Sequence, residues 1–280
     1  MSKPDRFLLA GVMGWPVLHS RSPMLHNYWF KQHGLAGTYV PLTVRPEGLA
    51  EALRALRPLG FAGCNLTIPH KQQAMAIVDG IDDVAKGIGA ISCVVVSPDG
   101  ALLGSNNDCY GFVQNIRQAR PAWRADTGPA VVIGAGGGSR AVCYGLAQEG
   151  AREIRLLNRD HARAKAIASD FGGPIAALPW EQRHDALEGA AMVVNTTSLG
   201  MVGQPPLDLN LDKLPADALA ADIVYIPLET PFLAAARGRG NATINGLGML
   251  LHQGRPAWKT WFGIEPVVTA ELRAMLENTI

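Results

Sequence analysis

Apolar and polar positions alternate along the first half of this chain in short blocks that read as strand, loop and helix in turn. Phe7-Leu8-Leu9-Ala10-Gly11-Val12 is strand-like and gives way to a polar loop, His19-Ser20-Arg21-Ser22. Ser22 and Pro23 then suit the N-cap and first position of a helix. That helix sets Met24, Leu25, Tyr28 and Trp29 on one stripe and stops near Gly34. Thr38 to Leu42 predicts a second strand, Leu49 to Leu56 a second helix, and Phe61 to Leu66 a third strand. The third strand opens into Thr67-Ile68-Pro69-His70-Lys71. Ile91 to Val96 and Ala101 to Gly104 flank Ser97-Pro98-Asp99-Gly100, a hairpin turn by composition. A βαβ pattern with an added hairpin predicts a mixed sheet.

The second half is more regular. Beyond a linker containing Pro121 and Pro129, strands are predicted at 130–134, 153–157, 192–195 and 219–224, with helices starting near Ser139, Asp160 and Thr230. The first of these strands breaks into Gly134-Ala135-Gly136-Gly137-Gly138-Ser139-Arg140-Ala141. An apolar run that turns on glycines and resumes as a helix reads as a phosphate-cradling turn at a helix N-terminus, the opening of a dinucleotide-binding unit. The position where the strict pattern has its third glycine holds Ser139. At the next strand exit the chain reads Asn158-Arg159-Asp160. An Arg there suits the 2′-phosphate of NADP and an acid suits the ribose hydroxyls of NAD, so NADP is favoured and NAD stays open. The tail from Gly246 to Ile280 is helical in pattern, with Met249, Leu250, Trp258, Trp261 and Phe262 apolar.

The expected fold is therefore α/β: a mixed-sheet substrate domain over 1–110, a Rossmann dinucleotide-binding domain over 111–245, and a C-terminal helical segment, 246–280, packing back on the first domain. The active site is expected in the cleft between the two domains. Length and composition agree, since 280 residues with 48% hydrophobic content allow a core in each domain. A net charge of only +1 makes no electrostatic case for nucleic acid or membrane. No apolar stretch approaches the roughly 20 residues of a membrane span, and the run after Met1–Arg6 is too short for a signal peptide, so a cytoplasmic protein is expected. Cys64, Cys93, Cys109 and Cys143 show no metal-ligand spacing, which predicts reduced thiols and no metal site.

Three polar loops stand out against the apolar first half: His19-Ser20-Arg21-Ser22, Asn65-Leu66-Thr67-Ile68-Pro69-His70-Lys71 and Asn106-Asn107-Asp108. Each follows a predicted strand, and loops at strand ends of α/β sheets are where ligands bind. Helix capping by Ser22 and Asp108 and a solvated Lys71 would account for them one at a time. Together they offer hydroxyls, amides, an ammonium and a carboxylate, a set suited to a small polyhydroxylated acid.

Along nearly its whole length the chain resembles the shikimate dehydrogenase family. The resemblance rests on Pro16-Val17-Leu18-His19-Ser20-Arg21-Ser22-Pro23 with His26-Asn27, on Asn65 to Lys71, and on Gly104-Ser105-Asn106-Asn107-Asp108 with Gly111. It continues through the glycine turn with Arg140-Ala141, Asn195-Thr196-Thr197-Ser198-Leu199-Gly200-Met201, Asp222-Ile223-Val224-Tyr225 with Pro227, and Gly246-Leu247-Gly248-Met249-Leu250 with Gln253. The resemblance implies hydride transfer between a nicotinamide cofactor and C3 of a cyclic polyol carboxylate, interconverting 3-dehydroshikimate and shikimate. It implies Lys71 and Asp108 as the catalytic pair, with the Lys71 ammonium stabilising and protonating the developing alkoxide and Asp108 orienting it. It places Ser20 and Ser22 on the substrate carboxylate, Thr67 and Gln253 on ring oxygens, and Ser92 and Tyr225 in the same pocket. Gly134, Ala135, Gly136, Gly137, Asn158, Arg159, Thr196, Gly246 and Met249 are the implied cofactor contacts.

The chain also departs from the family pattern. Gly89-Ala90-Ile91-Ser92-Cys93 stands where the family reads Gly-Ala-Val-Asn-Thr, so the shorter Ser92 replaces an amide that would meet a ring hydroxyl. Ile226, Asn107 and Asp160 are further substitutions. They leave Lys71 and Asp108 in place and keep quinate or another shikimate-like acid open as substrate. A non-catalytic dinucleotide sensor is the alternative from another class, disfavoured by the retained acid–base pair.

Overall fold

The computed structural model describes residues 7–280; Met1–Arg6, on which the reading against a signal peptide partly rests, lie outside the described residues. In chain order the strands and α-helices are β1 Leu8–Gly14, α1 Ser22–Gln32, β2 Gly37–Thr43, α2 Leu49–Ala55, β3 Phe61–Leu66, α3 His70–Gln73, β4 Gly80–Ile81 and α4 Asp83–Ile88. Then come β5 Cys93–Val96, β6 Leu102–Ser105, α5 Asp108–Ala119, β7 Ala130–Ile133, α6 Gly137–Gln148, β8 Ile154–Leu157, α7 His161–Phe171 and β9 Ile175–Leu178. The chain closes with β10 Met192–Asn195, β11 Leu219–Asp222, α8 Pro231–Gly238, β12 Ala242–Ile244, α9 Leu247–Phe262 and α10 Ala270–Glu277. These elements form two compact units, one running to Asn107 and taking in Gln253–Thr279, the other spanning Asp108–His252.

The first unit holds a six-stranded sheet in the order β2-β1-β3-β5-β6-β4. β1, β2 and β3 are parallel, and β5 runs antiparallel to both β3 and β6. The sheet is therefore mixed. The predicted hairpin is present, with Val96 opposite Leu102 and the Asp99 carboxylate accepting the Ser97 hydroxyl and the Ala101 N–H. Leu49, Leu53, Cys64, Leu66 and Val94 pack one core. The returning tail packs on α1: Trp258 lies 4.6 Å from Phe30 and 5.6 Å from Trp29, centroid to centroid. Arg21 also donates to the Thr279 carbonyl at 2.6 Å.

The second unit is a wholly parallel sheet in the order β12-β11-β10-β7-β8-β9. Strand order reverses between β7 and β10, the arrangement of a doubly wound Rossmann sheet. Both faces are covered, as a parallel sheet requires. Val132, Leu156, Val194 and Ala221 point into one core and Val131, Ile133, Leu157, Val193 and Ala220 into the other, following the two-residue period of a strand. Among the described residues no helix is long and apolar enough to cross a membrane.

Candidate active site

In the first unit the motif loops leave the carboxyl ends of adjacent strands. Met13 of β1 and Leu66 of β3 are register partners. Just beyond them Thr67 N–H donates to Met13 and Trp15 N–H to Ile68, at 2.9 and 3.0 Å, so the Ser20 loop and the Thr67–Lys71 loop start side by side. Helix α1 begins at Ser22 itself, one residue earlier than an N-cap there would allow. Arg21 occupies the cap and Ser22 N–H donates to Ser20 Oγ at 3.2 Å. The Ser22 hydroxyl is thus released from capping and faces the Tyr39 phenol. Burial, with the Cys64 and Cys93 thiols, pushes that phenol well above its ordinary range, against the opposing Ser22 bond. Tyr39 in turn donates to Asn65 Oδ1 at 2.8 Å.

Lys71 is the second residue of α3 and partly exposed. Its backbone is fixed on both sides: Ile91 N–H donates to the Lys71 carbonyl at 2.8 Å, and neighbouring His70, fully buried, bonds the Val44 carbonyl through Nε2 at 2.8 Å. Gln253 belongs to the part of α9 that lies in this unit, where the next residue, Gly254, packs on Leu25 and Trp29 of α1.

Ser92 has a use that no sequence pattern announces. It is 3% exposed, and its Oγ accepts the Asn107 N–H at 2.8 Å, so it ties the β5 approach to the residue before Asp108. The hydroxyl keeps a proton and a lone pair for a ligand. Ser92→Ala should lower stability by about 1–3 kcal/mol, the cost of stranding a buried N–H. Denaturant unfolding measures it; unchanged stability would mean the bond is dispensable.

In the second unit the glycine turn leaves β7 at the point of strand-order reversal, where open α/β sheets bind ligands. Gly134 has φ +118°, and a Cβ there would sit 2.6 Å from Thr196 Oγ1, so only glycine fits. The turn is closed by a relay: Gly136 N–H donates to Ser139 Oγ (3.1 Å), Ser139 to Thr196 Oγ1 (2.6 Å), and Thr196 to the Ile133 carbonyl (2.7 Å). Ser139 therefore does by hydrogen bonding what a third glycine does by close packing, and Thr196 is committed to shaping the turn. Space above Gly136 is open, and the twelve-residue α6 starts at Gly137, which fits a pyrophosphate on the helix N-terminus.

Gly134 N–H donates to the Leu157 carbonyl at 2.7 Å, which brings the β8 exit beside the turn. There Asp160 is the N-cap of α7, its carboxylate accepting Ala162 N–H at 3.1 Å. Asn158 Nδ2 donates to the Asp160 carbonyl at 2.8 Å. Arg159 is exposed beside them. Capping gives the acid that argued for NAD a structural use, and Arg159 is the exposed cation beside it. Arg140 is engaged elsewhere, paired to Asp170 at 2.6 Å. Tyr225 and Gly246 are brought close by Gly246 N–H donating to the Val224 carbonyl at 2.9 Å. Met249 is buried in the sheet's core. Asp108, 1% exposed, is the first residue of α5, where an anion is favoured by the helix dipole.

Residues 12–94 match the family model described as the shikimate dehydrogenase substrate binding domain, and residues 119–201 that described as shikimate / quinate 5-dehydrogenase. The NADP(+) shikimate dehydrogenase of Rhodospirillum rubrum is 55% identical over 270 residues, 95% of each chain. That of Paramagnetospirillum magneticum is 53% identical over 268 residues, 96% of this chain and 97% of the relative. Among solved structures, quinate dehydrogenase from Corynebacterium glutamicum in complex with NAD superposes with TM-score 0.90 at 30% identity, covering 97% of this chain and 99% of that one. Shikimate 5-dehydrogenase from Thermus thermophilus in complex with NADP(H) and shikimate gives 0.86 at 33% identity, covering 98% and 99%.

A doubly wound sheet with its glycine turn at the switch point, joined to a second α/β unit and seen with these relatives, defines an NAD(P)-dependent oxidoreductase. The chain belongs to the shikimate dehydrogenase family.

Proposed function

We propose that this protein is an NADP-dependent shikimate dehydrogenase that interconverts 3-dehydroshikimate and shikimate. The observation that carries the reading is the placement of the motif residues: Ser20, Ser22, Thr67 and Lys71 on the loops and helix starts that follow the carboxyl ends of β1 and β3, and the glycine turn with Arg159 at the carboxyl ends of β7 and β8. The bound cofactor supplies the hydride that adds to C3 of the ketone. As the C=O π electrons move to oxygen, Lys71 Nζ hydrogen-bonds that oxygen and gives it a proton; in the reverse direction it takes the proton back. Asp108 is the second member of the catalytic pair that the resemblance implies. Ser20 and Ser22 hold the ring carboxylate through hydroxyl bonds, while Thr67 and Gln253 fix the ring hydroxyls and with them the face presented to hydride. A cytoplasmic location suits an NADP enzyme whose cysteines form no disulfide.

The test is nicotinamide absorbance with shikimate and quinate, each with NADP and NAD. Turnover with shikimate and NADP is expected to dominate; its absence would overturn the reading. Quinate belongs in the panel because Ser92 is shorter than the family's amide and because the C. glutamicum quinate dehydrogenase superposes so closely. If Ser92 sets this preference, Ser92→Asn should raise the shikimate-to-quinate kcat/KM ratio by about fivefold, near the value of one hydrogen bond.

Arg159→Ala should raise the KM for NADP by about tenfold or more, since bonds to a charged group contribute about 1.5–3 kcal/mol. The KM for NAD should barely move. Equal changes in both would show that Arg159 does not read the 2′-phosphate.

A further inference from the structure

Asn195 and Asp222 end the neighbouring parallel strands β10 and β11 and are register partners. The Asp222 carboxylate is 3% exposed, and its partners are neutral donors: Asn195 Nδ2 at 3.1 Å from both oxygens, Val224 N–H at 2.9 Å and the Thr230 hydroxyl at 2.8 Å. No ion pair to it occurs among the described residues. A buried carboxylate without a counter-ion is costly. Burial lifts its carboxyl to about 6, with the bonds from Val224, Thr230 and Asn195 pulling the other way.

The donors come from two segments at the carboxyl edge of the sheet, Asn195 from the end of β10 and Val224 and Thr230 from the two ends of the connection between β11 and α8. Asn195 also donates to the Leu199 carbonyl (3.0 Å), while its Oδ1 accepts the Thr197 N–H (3.1 Å) and hydroxyl (2.7 Å), which folds the turn after β10. Thr230 caps α8 by accepting Leu233 N–H at 3.3 Å. Val224 holds the exit of β12, because its carbonyl accepts Gly246 N–H and a Cβ on Gly246 would collide with the Ile223 carbonyl. One acceptor thus serves the loops that carry Thr196, Tyr225 and Gly246. A Rossmann sheet has two mononucleotide-binding halves. Arg159, after β8, marks the β7–β9 half as the adenosine side, which assigns β10–β12 to nicotinamide.

We propose that Asp222 is a positioning residue for the nicotinamide half of the cofactor: its buried carboxylate, accepting from Asn195, Val224 and Thr230 at once, holds the loops after β10, β11 and β12 in one arrangement. This rests on reading the second unit as the NADP-binding one. An amide cannot replace the carboxylate, because its NH2 would face Asn195 Nδ2 or the Val224 N–H, donor against donor.

The test compares Kd for NADPH with Kd for 2′-phospho-ADP-ribose, which has the adenosine half and lacks nicotinamide. In Asp222→Asn the NADPH Kd should rise by about tenfold, as expected on losing a charge-assisted acceptor, while the 2′-phospho-ADP-ribose Kd stays within about twofold. Equal weakening of both, or of neither, would overturn the proposal. Thr230→Val and Thr230→Ser keep the carboxylate should Asp222→Asn fail to fold. Loss of one donor in Thr230→Val should weaken NADPH alone by a few fold while Thr230→Ser binds as wild type; equal affinity in the two would likewise overturn it. Wild-type turnover of shikimate tests the functional reading separately, since the affinity comparison stands whatever the second substrate is.

Discussion

Lys71→Ala is expected to lower kcat by on the order of 10²–10⁴ with cofactor affinity unchanged, the range that general acid–base groups supply. The reduction of a ketone places a full negative charge on oxygen, and only a positioned donor can neutralise it as it forms. The Lys71 backbone is fixed by its neighbours: its carbonyl is bound by Ile91 N–H, and buried His70 anchors α3 to the Val44 carbonyl. Burial also depresses the His70 imidazole from its ordinary 6.5, against the opposing bond from Val44. A neutral residue at 71 leaves that frame intact, so unfolding curves should match wild type. Steady-state kinetics with shikimate and NADP decide the matter. Near-normal turnover in Lys71→Ala would remove Lys71 from the chemistry and return it to the role of a solvated lysine.

A second large effect is a loss of stability in acid that originates at His26. Its ring is 1% exposed and stacked on Tyr39 at 4.1 Å, with Trp29, Trp258 and Trp261 around it at 5.3, 5.9 and 5.8 Å. Burial lowers its pKa from 6.5 to about 3. The unfolded chain therefore takes up a proton near pH 6.5 that the folded chain refuses until about pH 3. Stability from this group is complete above the unfolded value and is lost as pH falls between the two. At about 1.4 kcal/mol per pKa unit, the loss reaches about 3 kcal/mol near pH 4. His26→Phe keeps a flat ring in the stack and removes the titration. Its unfolding free energy should fall less than wild type's by that amount between pH 7 and 4; parallel curves would show that His26 titrates normally. Asp222 acts in the opposite sense. Its raised folded pKa gives a contribution present below about 3.8 and lost as pH rises through about 6, so the two groups separate by direction.

Much of this protein is legible in its sequence because the determinants are local. Strand β3 spans the predicted Phe61–Leu66, β10 the predicted 192–195, and the Ser97–Gly100 turn joins two antiparallel strands. Apolar runs with period two and glycine-bearing turns encode such features within a few residues. The glycine turn and its strand–turn–helix context are of the same kind, as is the class of chemistry they announce. The short strands β4 and β12 are not legible, since two or three residues carry too little periodicity, and β9 is not among the predicted strands. Helix α5 is absent from the predicted elements because its start, Asn106-Asn107-Asp108, reads as a polar loop.

The tertiary structure decided what depends on residues distant in sequence. That Asp160 caps α7 through the Ala162 N–H depends on where that helix starts. That Ser139 replaces a glycine by bonding Thr196, and that Ser92 secures the Asn107 backbone, requires the partner strands to be in place. In the sequence Asp222 is one more motif residue. Its role emerges only when parallel pairing sets it opposite Asn195, because a hydrogen bond needs its two atoms within about 3 Å, and a linear pattern specifies which groups exist while pairing and packing determine which of them meet.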